Sequence, residues 1–282
     1  MTRLQSNQVL SIPGNIDSYE RDLLQKTGMN LAEIGRKVKL ARWSGSIGQK
    51  HLGKMENLNL DSIKIAIIPV TVGRGRIAGF CEAVKAIMEK MGFSSVQITR
   101  QSDVSGLKEA YKNKANVIFM ADDNNFTAFN TQKNLHIDND KATARAYIEA
   151  LSAMAGQIKK KEVLILGGGK VGEESIKYVR ARRADPVCYE LNEKKAEVLS
   201  QKYNIKCYNS ESLNQIAQNF DLILDATPAA DIITADMVDQ NTYLAAPGVP
   251  AGFTEKASEV LEDRLLHDPL QLGVAGMVFA VI

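Results

Sequence analysis

Short unbroken apolar runs alternate with longer amphipathic stretches over most of the chain. Ile65-Ala66-Ile67-Ile68-Pro69-Val70 has no polar interruption, which predicts a strand covered on both faces. A glycine-rich loop over 71–79 follows. An amphipathic helix then runs to about residue 91, with Phe80, Val84, Ile87 and Met88 on one face. Ser95-Val96-Gln97-Ile98-Thr99 predicts a second strand, 105–112 a helix, and Val117-Ile118-Phe119-Met120 a third strand. This β-α-β-α-β order implies a parallel sheet with right-handed crossovers. An Ala-rich helix over 142–158 leads into a second alternation. Its strands are predicted at 162–166, 186–190, 222–225 and 243–246, and its helices at 172–182, 193–202 and 212–219. Residues 273–282 are apolar and small-sided, which predicts a helix packed between domains.

The first 60 residues have a different texture. Helical spacing runs over 17–40, through Leu23, Leu24, Leu31, Ile34 and Val38, with a break at Thr27-Gly28. Pro13-Gly14 is expected to interrupt any continuous N-terminal helix. The stretch 42–60 reads as a loop or insertion. Nine Lys/Arg stand against five Asp/Glu over 1–60, a balance that suits a solvated face. There is no internal repeat and no low-complexity tract. The pattern as a whole predicts a two-domain α/β fold, a small parallel α/β domain followed by a Rossmann domain. Its divisions are an N-terminal helical region at 1–60, an α/β domain at 61–150 and a nucleotide-binding domain at 151–282, whose C-terminal segment returns towards the cleft.

Charge and cysteine content narrow the function classes. Across 282 residues, 35 Lys and Arg nearly balance 33 Asp and Glu. That balance argues against binding nucleic acid or a membrane by bulk electrostatics. No apolar run approaches the length of a membrane span, and the N-terminus lacks a signal-peptide pattern. Cys81, Cys188 and Cys207 are too few and too irregularly spaced for a metal site or a disulfide framework. They read as reduced thiols in a cytoplasmic protein.

The strand at 162–166 runs directly into Gly167-Gly168-Gly169-Lys170-Val171-Gly172. This is G-x-G-x-x-G between a predicted strand and a predicted helix. Gly167 permits the tight turn, Gly169 lets the backbone approach a pyrophosphate, and Gly172 lets helix and strand pack closely. Phosphates then sit at the helix N-terminus, beside Lys170 and Val171. The second strand ends in Glu190, 18 residues after Gly172. A carboxylate there takes the ribose 2′-OH and repels a 2′-phosphate, so NAD is expected. Lys194 and Lys195 follow it, although they equally suit a solvated helix face. Ala226, Thr227 and Pro228 follow the strand end at Asp225, and Ala246-Pro247-Gly248-Val249-Pro250 follows the next. Both loops are placed to approach the ribose and nicotinamide, although either also reads as an ordinary turn.

In the first domain the strand at 117–120 ends in Ala121-Asp122-Asp123. A carboxylate facing a cofactor is a suitable anchor for an ammonium group, and that role falls to Asp122, with Asp123 capping a following helix. His51 and His136 sit in loops. His267-Asp268-Pro269 precedes the final apolar segment and is placed to enter the cleft, which makes Asp268 a candidate catalytic carboxylate. No Ser/His/Asp set, metal cluster or reactive-cysteine context appears. The chemistry is therefore expected from the cofactor.

Six segments together resemble the pyrrolysine synthase (PylD) family, in its order and at similar spacing. They are Ile68-Pro69-Val70-Thr71, Asp103-Val104-Ser105-Gly106, Met120-Ala121-Asp122-Asp123, Gly169-Lys170-Val171-Gly172, Asp225-Ala226-Thr227-Pro228 and Pro247-Gly248-Val249-Pro250. The resemblance covers 61–282 well and extends weakly to Leu4 and Thr27-Gly28. It implies NAD-dependent oxidation of the terminal amine of a lysine acylated by 3-methyl-D-ornithine, followed by loss of ammonia and ring closure. It also implies substrate contacts from Leu4, Thr71, Asp122 and Asn139, and a lid role for the N-terminal helix. Val72 and Arg74 depart from the family's small polar residues in the glycine loop. Two alternatives stay open. One is another two-domain NAD(P) dehydrogenase of the shikimate, methylenetetrahydrofolate or amino-acid type, although no lysine stands at the strand ends to serve it. The other is a non-enzymatic NAD-sensing module. The partners expected are a small dipeptide-like substrate and a second copy of the chain in a homodimer.

Overall fold

The structure, a computed structural model, describes residues 4–43, 58–73 and 75–282. His51, Arg74 and most of the stretch 42–60 lie outside the described residues. The chain divides into two compact units. One comprises Met1–Asp22, Asn30–Ala142 and Leu270–Ile282, the other Leu23–Met29 and Thr143–Pro269. The division after Ala142 falls inside a helix rather than at 150/151, and the terminal segment groups with the first unit rather than with the second. The reason lies in that segment's composition. The helix Gln271–Val281 is buried at every position, and a helix apolar all round must be enclosed on all sides.

The first unit begins with helices α1 (Ser6–Leu10), α2 (Ile12–Thr27) and α3 (Leu31–Trp43). The break falls at Ser11 rather than at Pro13-Gly14. Pro13 is the second residue of α2, where its missing N–H has no helical acceptor to lose. The expected break after Thr27 is present, and the Thr27 hydroxyl closes it by donating to the Leu23 carbonyl at 2.7 Å. α3 supports the C-terminal helix through Gly35, where a Cβ would fall 2.3 Å from the Phe279 ring. Lys39 and Asn130 donate to the Ile282 and Val281 carbonyls at 2.7 and 2.8 Å, satisfying groups a helix end leaves bare.

The sheet of this unit contains β1 (Ile65–Ile68), β2 (Val96–Ile98), β3 (Val117–Ala121), β4 (Phe126–Asn130) and β5 (Leu135–Asp138), in the order β2-β1-β3-β4-β5. β1 pairs in parallel with β2 and β3. The expectation of an all-parallel sheet is corrected by β4 and β5, which add an antiparallel meander. Phe126-Thr127-Ala128-Phe129-Asn130 buries four of its residues and leaves Phe129 outside. Only two of its five residues are large and apolar, too weak a signal to separate a strand from a loop. α4 (Phe80–Lys90) and α5 (Asp103–Lys112) are the crossovers. α5 lies so close to the sheet that a Cβ on Gly106 would fall 2.6 Å from Ile68.

The second unit carries β6 (Glu162–Leu166), β7 (Asp185–Tyr189), β8 (Cys207–Tyr208), β9 (Leu222–Asp225), β10 (Tyr243–Ala245) and β11 (Leu265–Leu266). All pair in parallel, in the order β11-β10-β9-β6-β7-β8. The four longer strands match the sequence reading. β8 and β11 have two residues each, too short for any period to show. α6 (Asn139–Met154) leads into the unit, and α7 (Lys170–Ala181) and α8 (Glu193–Tyr203) are crossovers. α6 is locked to α7 by Arg145 on Glu174 at 2.6 Å and by the Tyr178 hydroxyl on buried Glu149 at 2.7 Å. Among the described residues no helix is long and apolar enough to cross a membrane.

Candidate active site

Each unit concentrates its polar chemistry at the carboxyl edge of its own sheet, where open α/β sheets bind ligands. In the second unit β6 delivers Gly167, which adopts φ +83°, a conformation that favours glycine. Gly172 packs the first turn of α7 down onto that bend, since a Cβ there would fall 1.8 Å from the Gly167 carbonyl oxygen. Gly169 behaves differently. It is the N-cap of α7, and a Cβ built on it meets nothing within 4 Å. The loop thus leaves a space beside the first turn, formed by Lys170, Val171 and Gly172. A helix N-terminus directs N–H groups and a positive dipole end at such a space.

Glu190 follows β7 on the same edge. Its Oε2 accepts the Gly168 N–H at 2.9 Å and lies 3.2 Å from the Lys195 ammonium, and its Oε1 accepts the Asn192 N–H at 2.9 Å. Partial burial pushes its pKa up, but these donors outweigh burial and hold the carboxyl below its ordinary value. An ionised acid therefore stands at the end of the strand beside the glycine loop. Lys195, read from sequence as equally at home on a solvated face, is its ion-pair partner.

On the other side of β6, Asp225 ends β9 fully buried. Its Oδ1 accepts both the N–H and the hydroxyl of Thr227, at 3.0 and 2.7 Å, which shapes the Ala226-Thr227-Pro228 loop. Its Oδ2 has no hydrogen-bond partner and lies against Gly252. Burial raises its pKa against the opposing pull of Thr227 and His267. The Pro247-Gly248 turn after β10 reaches the Thr227 loop, since a Cβ on Gly248 would fall 2.3 Å from the Thr227 carbonyl oxygen. His267 follows β11, and its Nδ1 is 2.7 Å from the Ala246 carbonyl. That contact requires the proton on Nδ1 and leaves Nε2 as the basic nitrogen. Asp268 is buried beside it, with Oδ2 accepting the Tyr147 hydroxyl at 3.0 Å and its N–H donating to the Tyr147 hydroxyl oxygen at 2.8 Å. That pairing ties the end of β11 to α6.

The open space at Gly169, the exposed N-terminus of α7 and the ionised Glu190 fit a dinucleotide. Phosphates would lie at the helix end, the ribose at Glu190, and the ring end by Thr227 and Pro247.

In the first unit, Thr71 follows β1, Asp103 follows β2 and Asp122 follows β3, so the order β2-β1-β3 sets the three side by side. The Asp103 carboxylate takes both the N–H and the hydroxyl of Thr71, and those two bonds hold its pKa below the ordinary value. Asp103 adopts φ +55° to do so, a strained geometry for a residue with a side chain. Asn139 comes onto the same edge through the meander. β5 runs in the direction of β3, and Asp138 is level with Thr127, which is level with Met120. The first residue of α6 is therefore level with the end of β3, two strands away.

The two aspartates after β3 divide their work differently from the sequence reading. Asp122 is the capping residue, and its Oδ1 accepts the N–H groups of Asn124 and Asn125, both at 2.8 Å. Asp123 lies over the glycine loop, where a Cβ on Gly73 would fall 2.2 Å from its Oδ2. No helix comes next for Asp123 to cap, because the chain enters β4 instead. The other end of that loop is covered by α1, with Leu10 against Gly79, so the segment that starts at Leu4 reaches the same edge. Among the described residues no cluster of three or more His, Cys, Asp or Glu is placed to hold a metal. Asp103, His267 and Asp225 were not assigned roles from sequence, and Asp123 was assigned only a helix cap. Their signals were position, at or shortly after the end of a strand, and, for Asp103, Asp123 and Asp225, membership of the segments that resemble the family.

Residues 8–137 match the family described as "Pyrrolysine biosynthesis protein PylD, N-terminal domain", and residues 149–246 match "Shikimate / quinate 5-dehydrogenase". The chain is 32% identical over 219 residues to pyrrolysine synthase of Methanosarcina acetivorans, covering 78% of this chain and 82% of that one. In fold it is similar to shikimate dehydrogenase from Aquifex aeolicus, with a TM-score of 0.52 at 15% identity over 77% of this chain and 91% of that one. It is also similar to quinate dehydrogenase from Corynebacterium glutamicum, solved in complex with NAD, with a TM-score of 0.51 at 12% identity over 78% and 92%.

Proposed function

The chain belongs to the pyrrolysine synthase family, and from that premise we propose that it uses NAD to oxidise the terminal amine of L-lysine-Nε-3-methyl-D-ornithine. Ammonia is lost and the ring closes to pyrrolysine. The observation that carries this reading is the row of Thr71, Asp122 and Asn139 on one sheet edge, in a chain whose other sheet offers a dinucleotide cradle.

When bound, NAD supplies the hydride acceptor for the carbon that bears the amine. The protein's own groups do the rest. Both turn bonds of Asp122 fall on Oδ1, which leaves Oδ2 to hold an ammonium group and to take its proton. Thr71, fixed by Asp103, and Asn139 hydrogen-bond the chain of the substrate and keep it curled. Curling brings the second amine onto the oxidised carbon, and such orientation is worth roughly 7–11 kcal/mol in the best intramolecular cases. The attack forms the ring bond, and the carbon–nitrogen bond to the departing ammonia breaks. The N-terminal segment from Leu4, seated at Gly79, shields the imine from water.

Incubating the protein with the dipeptide and NAD tests the reading. The expected result is a rise in NADH absorbance with the mass of pyrrolysine in the product; no NADH from folded protein that binds NAD overturns it. Asp122→Asn is expected to abolish turnover with NAD affinity retained, and unchanged turnover removes Asp122 from the chemistry.

A further inference from the structure

We propose that Cys188 and Cys207 form a reversible oxidation site, at which a two-electron oxidant of the peroxide class joins the two thiols and weakens dinucleotide binding. The second half rests on the nucleotide site proposed above.

The two cysteines are direct partners in the parallel ladder of β7 and β8, one on each strand. Paired positions of a ladder carry their side chains on the same face, so the two thiols are neighbours across the β7–β8 pair. They differ in access. Cys188 is fully buried, whereas Cys207 is half-buried on the edge strand of the sheet. They also differ in acidity. The neighbouring Cys207 and burial push the Cys188 thiol up, and the neighbouring Cys188 holds the Cys207 thiol below its ordinary value. The more accessible and more acidic sulfur thus has a second thiol beside it that can resolve its oxidised form, the arrangement that oxidisable cysteines require. Cys81 offers the contrast, buried in α4 away from any strand ladder, with its pKa pushed up to about 11.

The chemistry balances with peroxide as the oxidant. The Cys207 thiolate attacks a peroxide oxygen, the O–O bond breaks, and a sulfenic acid forms with release of one water. The Cys188 sulfur then attacks the Cys207 sulfur. The S–O bond breaks, and the oxygen leaves with the Cys188 proton as a second water. Two thiols lose two electrons and two protons.

Closure has a consequence for Glu190. Neighbouring strands lie about 4.8 Å apart, and a disulfide draws its Cβ atoms to roughly 3.8 Å. That strand spacing lies within the roughly 4.4–6.8 Å between Cα atoms that a disulfide allows, so the bond closes by turning the two Cβ atoms towards each other, which reorients the paired segments of β7 and β8. Cys188 N–H donates to the Lys206 carbonyl, and Glu190 N–H donates to the Tyr208 carbonyl, so the reoriented ladder is the one that positions Glu190. A carboxylate that meets a ribose hydroxyl tolerates little of that shift.

Peroxide treatment of the reduced chain, peptide mapping and an NAD titration test the proposal. We expect a Cys188–Cys207 cross-linked peptide and a several-fold weaker NAD affinity, both reversed by dithiothreitol. Cys207→Ser, a change at the more exposed partner, should remove the cross-link and the loss of affinity. Cross-links elsewhere, irreversible oxidation of Cys207 without a cross-link, or a cross-linked protein with unchanged NAD affinity overturns the proposal. Failure of the reduced protein to bind NAD instead sinks the nucleotide reading, and the peptide map still decides the oxidation site.

Discussion

Two glycines three residues apart should respond in opposite ways to the same methyl group. At Gly169 the backbone angles, φ −64° and ψ −171°, suit any residue, and an added Cβ meets nothing within 4 Å. Gly169→Ala should therefore change stability by no more than about 0.5 kcal/mol, a small N-cap loss offset by a less mobile unfolded chain. Its methyl occupies the space assigned to the pyrophosphate, so NAD affinity should fall at least tenfold, about 1.4 kcal/mol. At Gly172 the methyl would stand 1.8 Å from the Gly167 carbonyl oxygen against a limit of 3.0 Å, a shortfall of 1.2 Å between backbone atoms. No rotamer relieves that contact, so α7 must move off β6. Overpacking of this kind costs about 1–3 kcal/mol or more, which lowers the melting temperature by several degrees at roughly 2–4 °C per kcal/mol. Thermal melting without ligand and calorimetric titration with NAD separate the two. A Gly169→Ala protein that melts well below the parent, or that binds NAD as the parent does, refutes the assignment of that space. A Gly172→Ala protein with parental melting refutes the packing argument.

Three further outcomes concern the polar groups. Burial holds the folded-state pKa of Asp225 above the ordinary 3.8. The folded chain therefore keeps that proton longer than the unfolded chain, and the group costs stability as pH rises through this interval. Asp225→Asn should be more stable than the parent at about pH 7 and should lose the advantage near pH 4; denaturant unfolding at both values checks this, and an equal or lower stability at neutral pH contradicts it. Glu190→Ser frees Lys195, 3.2 Å from the carboxylate, for a 2′-phosphate, so the ratio of NAD to NADP affinity should fall or invert; a parental ratio is the refuting result. Asp103→Ala removes both acceptors of Thr71, and KM for the dipeptide should rise several-fold while NAD affinity holds, with Asp103→Asn intermediate; an unchanged KM separates Thr71 from substrate binding.

The chain's hydrophobic pattern determined a good deal by itself. Continuous apolar runs such as 163–166 and Ile65–Ile68 read as strands covered on both faces, and the helices between them force parallel pairing. Gly167, Gly169, Gly172 and Glu190 were readable because a phosphate loop requires residue types at set distances along the chain. The features that tertiary structure alone decided depend on contacts remote in sequence. The C-terminal helix signals only that it must be enclosed, not that α3 encloses it. β4 and β5 carry too few apolar residues to declare themselves, yet they bring Asn139 level with the end of β3 on the same sheet edge. Asp122 and Asp123 are adjacent and chemically identical, and only the hairpin after them assigns one to the turn and the other to the glycine loop. Local periodicity reports which face of an element is buried. The partner on that face is set by packing, which no single stretch of sequence encodes.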